Sequence, residues 1–178
     1  MYKIISDSAC DLSQAYIEKN NIDIVPLSVS FDGETYYRDG IDITRNECYK
    51  RMVENPGVYP KTSLPSVEQY ANVFEEYAKT NTPVVCFTIS LIFSGSFNSA
   101  INARELVLED YPDAEIHVID SKQNTVTQAL IIDQMVRMQK ADLPLDLALK
   151  NIEKVIDSAR IFFTVGSLDY LQMGGRIG

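Results

Sequence analysis

Pro83-Val84-Val85-Cys86-Phe87-Thr88-Ile89-Ser90, closed a few residues on by the polar turn Ser94-Gly95-Ser96, is the stretch that decides the fold. Val84 to Ile89 is almost continuously apolar, and a strand apolar on both sides belongs inside a parallel sheet covered on both faces. The turn leads into a helical pattern through Ala100, Ala103, Leu106 and Val107. A similar unit follows. Glu115-Ile116-His117-Val118-Ile119 runs into Asp120-Ser121, then into helical stretches over 126–140 and 145–158 joined by Asp142-Leu143-Pro144. Upstream, Lys3-Ile4-Ile5-Ser6 runs into Asp7-Ser8 and a helix over 12–20. Strands that alternate with amphipathic helices imply long crossovers, so the pattern predicts an α/β fold with a parallel sheet flanked by helices.

The remaining segments read as follows. Residues 22–31 are extended, with Leu27, Val29 and Phe31 alternating with Ser28 and Ser30, and Asp32-Gly33 predicts a hairpin between Phe31 and Thr35-Tyr36-Tyr37. Thr44-Arg45-Asn46-Glu47 is a capping box opening a helix that fades at Asn55-Pro56-Gly57. Lys61-Thr62-Ser63-Leu64-Pro65-Ser66 reads as a polar loop, and Ser66 caps a helix carrying Val67, Tyr70, Ala71, Phe74, Tyr77 and Ala78. Ile161-Phe162-Phe163-Thr164-Val165 predicts a last strand, and 168–173 a short helical piece. The expected organisation is an N-terminal α/β domain over 1–158 and the beginning of a second, truncated α/β domain over 159–178.

Composition narrows the function classes. The chain has 178 residues, 46% hydrophobic and 23% charged, ordinary for a globular protein with a real core. No apolar run approaches the roughly 20 residues that span a bilayer, and Met1-Tyr2-Lys3-Ile4-Ile5-Ser6-Asp7 turns acidic too soon for a signal peptide. Cys10, Cys48 and Cys86 are an odd number at wide spacing, which argues against a disulfide framework and a zinc site and favours the cytoplasm. A net charge of −9 without a basic stripe excludes nucleic acid as a natural partner and disfavours anionic membrane surfaces. An anionic ligand would then depend on helix N-termini and hydroxyls rather than on cations.

Three predicted strands end alike, in Asp7-Ser8, in Ser90 with Ser94-Gly95-Ser96, and in Asp120-Ser121. In an open parallel sheet these carboxyl ends share one edge, where ligands bind. The helix opening near Ser96 offers backbone N–H groups and its positive dipole end, Gly95 permits close approach, and Ser94 and Ser96 add hydroxyls. Thr62 and Ser63 could supply more. Ser, Thr and Asp at helix starts are ordinarily caps, and capping is also the more economical reading of Asp7, Asp11 and Asp120 than a Mg²⁺ site. What favours a carboxylate or phosphate site is the doubling in Ser94-Gly95-Ser96 together with Thr62-Ser63.

Other chemistries fit less well. His117, the only histidine, sits mid-strand among apolar residues and reads as structural rather than as a general base. No Gly-x-Ser-x-Gly elbow, Gly-x-Gly-x-x-Gly or P-loop is present. No catalytic residue, metal or cofactor is expected. The rival from another class is a small-molecule hydrolase or phosphotransferase with Ser94 as nucleophile near Asp7 or Asp120.

In order along the chain, six or so blocks resemble the DegV family of bacterial fatty-acid-binding proteins. They include Asp7-Ser8-Ala9-Cys10-Asp11-Leu12, Pro26-Leu27-Ser28-Val29, Tyr37-Arg38-Asp39-Gly40-Ile41-Asp42-Ile43 and Lys61-Thr62-Ser63-Leu64-Pro65-Ser66. Further on come Ser90-Leu91-Ile92-Phe93-Ser94-Gly95-Ser96-Phe97-Asn98-Ser99-Ala100, Val118-Ile119-Asp120-Ser121 and Leu168-Asp169-Tyr170-Leu171-Gln172-Met173-Gly174-Gly175-Arg176-Ile177. The resemblance implies a two-domain protein holding one long-chain fatty acid in a tunnel between domains. It also implies an acyl carrier for a fatty acid kinase, presenting the carboxylate for phosphorylation to an acyl-phosphate. Thr62 and Ser94 align with the hydroxyls that hold the carboxylate, and Arg176 with an arginine implicated in docking to the kinase. Phe93 and Ser96 replace the usual Leu and Thr of Leu-Ser-Gly-Thr, and Leu64 a common Gln. The family's chain continues for about another domain's length, on the order of 100 residues. That part closes the tunnel, so a fragment ending here would expose apolar surface suited to a homodimer.

Overall fold

Strand β1 (Lys3–Asp7) is buried at every position, and so is β6 (Val84–Thr88). The computed structural model describes residues 1–177, and in it the two strands are parallel neighbours, Lys3 opposite Val84 and Ser6 opposite Phe87. Their side chains alternate between two cores. Ile4, Val85 and Phe87 join one, Ile5, Val84 and Cys86 the other. This alternation is the period of an extended chain, and it explains the unbroken apolar run: both faces are covered.

Helices α5 (Thr125–Lys140) and α6 (Leu145–Ser158) cover the first face through Ile131, Ile132, Met135, Ala148 and Ile152. Here α1 (Gln14–Asn20) also packs, through Tyr16 and Ile17. The second face lies under α3 (Val67–Ala78) and α4 (Ser96–Asp110), which bring Tyr70, Phe74, Ala100 and Ala103. With β2 (Asp23–Val25) beside β1 and β7 (Ile116–Asp120) beside β6, the sheet order is β2-β1-β6-β7, all parallel. The chain therefore moves outward from β1 to β2 and later returns to the other side of β1. The switch in direction falls between β1 and β6, the place where open α/β sheets leave a crevice.

Lys3 is admitted to this interior because its ammonium has partners. It lies 2.7 Å from Asp23 Oδ1 and 3.1 Å from Asn21 Oδ1, with the Tyr77 ring 5.3 Å away. The Tyr77 hydroxyl donates to the other Asp23 oxygen, so a helix, two strands and a buried charge are tied in one network.

A second, smaller sheet is antiparallel, in the order β4-β3-β5, built from β3 (Ser28–Ser30), β4 (Tyr37–Arg38) and β5 (Lys61–Ser63). The hairpin turn contains Gly33 at φ +80°, a conformation natural to glycine, and Asp32 accepts from the amides of Glu34 and Thr35. The same unit holds α2 (Arg45–Glu54), opened by Thr44 and Glu47 in a complete capping box, and α7 (Asp169–Met173). Arg51 stacks its guanidinium over Phe31 and Tyr37, at 5.4 and 4.8 Å from the ring centres.

By internal contacts, Met1–Val25 groups with Pro65–Ile161, and Pro26–Leu64 with the chain from Phe162 onward. Tyr59 meeting Tyr170 edge-on at 4.9 Å is one contact that unites the latter pair of segments. This division cuts the chain differently from a boundary at residue 158. Two local expectations change. Lys61–Ser63 is an edge strand paired with β3, not a loop, and Ile161–Val165 forms no strand. The extended reading of 22–31 splits at Pro26-Leu27 into β2 and β3, which belong to different sheets. Among the described residues no helix is long and apolar enough to cross a membrane.

Candidate functional site

The carboxyl ends of β1, β6 and β7 do lie together. Asp7, at the end of β1, is fully buried and reaches across the switch point. Its Oδ2 accepts from Ile89 N–H at 2.8 Å, and its Oδ1 accepts from Gln128 Nε2 at 2.9 Å. Asp120, at the end of β7, accepts from Leu91 N–H at 3.2 Å and from Lys122 N–H at 2.9 Å. Ser90 N–H donates to Gln123 O, so the loop after β6 is held from both neighbouring strands. The sequence reads the two carboxylates as helix caps. Their principal work is to fasten this loop, a role invisible in sequence because the partners lie about 30 to 80 residues away.

The fastened loop ends at Ser94-Gly95-Ser96. Ser94 N–H donates to Ser90 O, Ser96 N–H donates to Ser94 Oγ at 3.2 Å, and the Ser94 and Ser96 hydroxyls are 2.9 Å apart. Ser94 and Gly95 are half-buried and Ser96 fully so. Gly95 stands at the N-cap of α4 with φ −75°, so its value lies in having no side chain and not in an unusual backbone angle. It supplies no side-chain cap, whereas Thr44 and Ser66 each complete a capping box on their helices. The N-cap residue of the 15-residue α4 thus contributes no side chain to its positive dipole end, and the one side-chain acceptor there is Ser94 Oγ on the Ser96 amide. Just before it, Leu91, Ile92 and Phe93 are exposed, Ile92 by 83%. Apolar surface and hydrogen-bond donors stand side by side.

Thr62 and Ser63 are exposed on β5, Thr62 opposite Val29 and Ser63 opposite Ser28. They belong to the smaller unit, and Ser94, Gly95 and Ser96 to the larger one. Arg176 is exposed beyond α7, its guanidinium donating to Gly174 O and its N–H to Leu171 O at 2.9 Å.

Nucleophilic chemistry finds little support in these bonds. Ser94 bonds to Ser96, while the nearest carboxylates by strand position, Asp7 and Asp120, are engaged with backbone amides and Gln128. His117 lies on edge strand β7, half-buried, paired with Glu115 at 2.9 Å. Burial raises the Cys10 thiol pKa to about 11 and that of Cys86 well above its usual value, so neither offers a thiolate. Among the described residues no cluster of three or more His, Cys, Asp or Glu side chains could hold a metal. A shallow cleft lined by Tyr2, Pro83, Gln139 and Leu143 lies at the opposite, amino end of the strands.

The family model described as "Uncharacterised protein, DegV family" matches residues 1–178. The chain belongs to the DegV family. It is 70% identical to a crystal structure of a stearic-acid-binding protein from Eubacterium ventriosum, with a TM-score of 0.97 over 100% of this chain and 61% of that one. A DegV domain-containing protein of Staphylococcus aureus is 32% identical over 98% of this chain and 60% of its own length. The Streptococcus pneumoniae fatty acid kinase (Fak) B3 protein, solved loaded with linoleic acid, is 25% identical with a TM-score of 0.84, covering 100% of this chain and 62% of that one. The chain spans about 60% of the length of the curated relatives it matches. The parallel sheet flanked by helices is thus the DegV fold.

Sequence reading missed one further group. Tyr70 looks like an ordinary core aromatic, yet its hydroxyl is fully enclosed and lacks a hydrogen-bond partner. No sequence signal marks it, since the spacing that buries Tyr70 equally buries Ala71 and Phe74.

Proposed function

We propose that this DegV chain binds a long-chain fatty acid, holding its carboxylate at the Ser94-Gly95-Ser96 turn with help from Thr62 and Ser63. The observation that carries the reading is the α4 N-terminus, whose N-cap residue Gly95 has no side chain, flanked by the Ser94 hydroxyl and the exposed Leu91-Ile92-Phe93. That pairing of donors with apolar surface is what an amphiphilic acid requires. The 70% identity to a stearic-acid-binding protein supports the same ligand class.

The energetics are consistent. Each buried methylene contributes about 0.8 kcal/mol, so a tail of about 16 carbons supplies on the order of 10 kcal/mol before ordering costs. The head group needs only enough charge-assisted hydrogen bonds to offset its desolvation. The tail gives affinity and the turn gives orientation. Likeness to the kinase B3 protein of Streptococcus pneumoniae supports a finer proposal. The bound acid is presented to a fatty acid kinase, with Arg176 in the docking surface and no catalytic residue supplied by this chain.

The test is direct. Delipidated protein is titrated with oleate by calorimetry, as wild type and as Thr62→Ala/Ser94→Ala. The double variant should bind at least about tenfold more weakly, the loss of one or two hydrogen bonds to a charged group. Unchanged affinity removes these hydroxyls from the site. Absence of binding by the wild type defeats the lipid reading itself.

A further inference from the structure

Asp7 is a buried carboxyl with no cation beside it. It is wholly enclosed, and among the described residues no lysine, arginine or histidine pairs with it. Lys3, on the same strand, is committed at the other end to Asp23 of β2, and Lys122, after β7, is exposed and pairs with Asp157 at 2.8 Å. What Asp7 meets instead is dipoles: Ile89 N–H on Oδ2, Gln128 Nε2 on Oδ1, and the Ala9 amide. Its titratable neighbours are Cys10 in the turn after β1, Cys86 on β6 and Tyr70 on α3. Burial raises the pKa of all three, the Asp7 charge adds to the rise, and they stay uncharged. Val25 of β2 stands opposite Asp7, while Asp11 follows the turn and Asp120 holds Leu91 N–H, two further acids.

The loop that Asp7 fastens is the one that carries the head-group turn. Ile89 is followed by Ser90, whose carbonyl accepts from both Phe93 N–H and Ser94 N–H. Ser90 to Ser94 is therefore one helical turn, about 5 Å of rise, which puts an anion held at Ser94-Gly95-Ser96 on the order of 10 Å from Asp7. At that separation, with an effective dielectric constant of about 20, two like charges oppose each other by about tenfold in affinity.

Gln128 is equipped for either state of Asp7. Its N–H end meets the carboxylate, while its carbonyl oxygen is enclosed with no donor. Once Asp7 carries a proton, turning the Gln128 amide over brings that oxygen to the new O–H, and Oδ2 goes on accepting from Ile89. We infer that Asp7 is a proton-linked partner of the ligand: an acid head group arriving at the Ser94 turn is accompanied by a proton taken up on the Asp7 carboxyl. The inference rests on the fatty-acid reading and deepens it, since it states how an anion is accepted beside a buried carboxylate. The proton comes from solvent, an O–H bond forms on one Asp7 oxygen, and this edge of the sheet carries the same charge before and after binding. Burial already holds the Asp7 pKa at about 6, so a further tenfold bias brings it to about 7 when the site is filled.

Oleate is titrated by calorimetry into wild type and Asp7→Asn at pH 7, in two buffers of different ionisation enthalpy, which counts the protons taken up on binding. Wild type should take up about 0.4 proton more than D7N, the change that follows when a pKa moves from about 6 to about 7. Protons exchanged by oleate itself are common to both proteins and cancel. By the same linkage D7N should bind about tenfold more tightly than wild type at pH 8 but only about twofold more tightly at pH 6. The carbon-13 signal of the Asp7 carboxyl reads the same event in wild type alone, its titration midpoint rising by about one pH unit with oleate bound, and it decides the matter if D7N fails to fold. Equal proton uptake with an unmoved midpoint overturns the link and leaves the lipid reading standing, provided Thr62→Ala/Ser94→Ala still binds more weakly. Weaker binding by D7N that worsens as pH rises overturns it as well, because the ionised carboxylate is then what the loop requires. A wild-type protein that binds no oleate overturns link and lipid reading together.

Discussion

Asp7 shows how much one residue can hide. From sequence it is an acid at a strand end, a cap by habit. In the fold it lies inside the sheet edge, where burial lifts its carboxyl pKa from 3.8 to about 6 despite hydrogen bonds from Ile89, Gln128 and Ala9 that pull the other way. A carboxyl that binds its proton more tightly when folded contributes stability that is complete below about pH 4 and disappears as pH rises through about 6. A shift of about two units corresponds to on the order of 3 kcal/mol between those limits. Asp7→Asn should therefore raise stability at pH 7 by about 1–2 kcal/mol, since the ionised form is no longer buried. The new amide also has an acceptor waiting, because Gln128 Oε1 is buried without a partner and a flip of the Gln128 amide would present it. Urea unfolding followed from pH 4 to 7 should show a falling curve for wild type and a flatter one for the variant. A variant less stable than wild type at pH 7 would mean that the bonds from Ile89 and Gln128 outweigh the burial penalty.

At the scale of elements, α3 gives the clearest prediction. Ser66 accepts from Gln69 N–H at 3.2 Å while Gln69 Oε1 accepts from Ser66 N–H at 2.8 Å, satisfying two helix-end donors at once. Ser66→Ala should cost about 1 kcal/mol, read as a lower urea midpoint with an unchanged slope. Because Pro65 O holds Ser99 of α4, fraying of this end should also weaken oleate binding, whereas Thr44→Ala on the exposed α2 should cost similar stability without that effect. These caps were legible in the sequence, as were β1, β6, β7 and all four long helices that cover the parallel sheet, because each is announced by local periodicity. The three-stranded sheet was only partly legible. Lys61-Thr62-Ser63 is polar and exposed at every position, so only its hydrogen bonds to β3 make it a strand. Ile161–Val165 errs the other way. Its β-branched and aromatic residues favour an extended chain, but a strand exists through its ladder, and Phe162 stands 93% exposed with none. The hydroxyls and amides of the Ser94 turn are consecutive in the sequence, whereas the carboxylates of Asp7 and Asp120 that fasten the loop before it come from distant strands and give no local signal.

For the whole molecule the governing quantity is charge. The chain carries −9, and the ligand proposed for it is an anion, so long-range electrostatics oppose the encounter that short-range hydrogen bonds at the Ser94 turn then reward. The two act over different distances, which makes them separable. Raising ionic strength from 0.01 to 0.15 M shortens the screening length from about 30 to about 8 Å, silencing the overall field while leaving contacts at hydrogen-bond distance nearly untouched. Oleate association, followed by stopped flow below its micelle concentration, should therefore speed up several-fold across this range, the reverse of electrostatically steered binding. Dissociation should change little, because it reports burial of the tail and the grip on the head group. A neutral long-chain alcohol separates charge from the effect of salt on hydrocarbon solubility, since its association rate should be nearly flat. If oleate instead binds more slowly as salt is added, a local cationic surface steers it, and the hydroxyl turn is not where the head group first arrives.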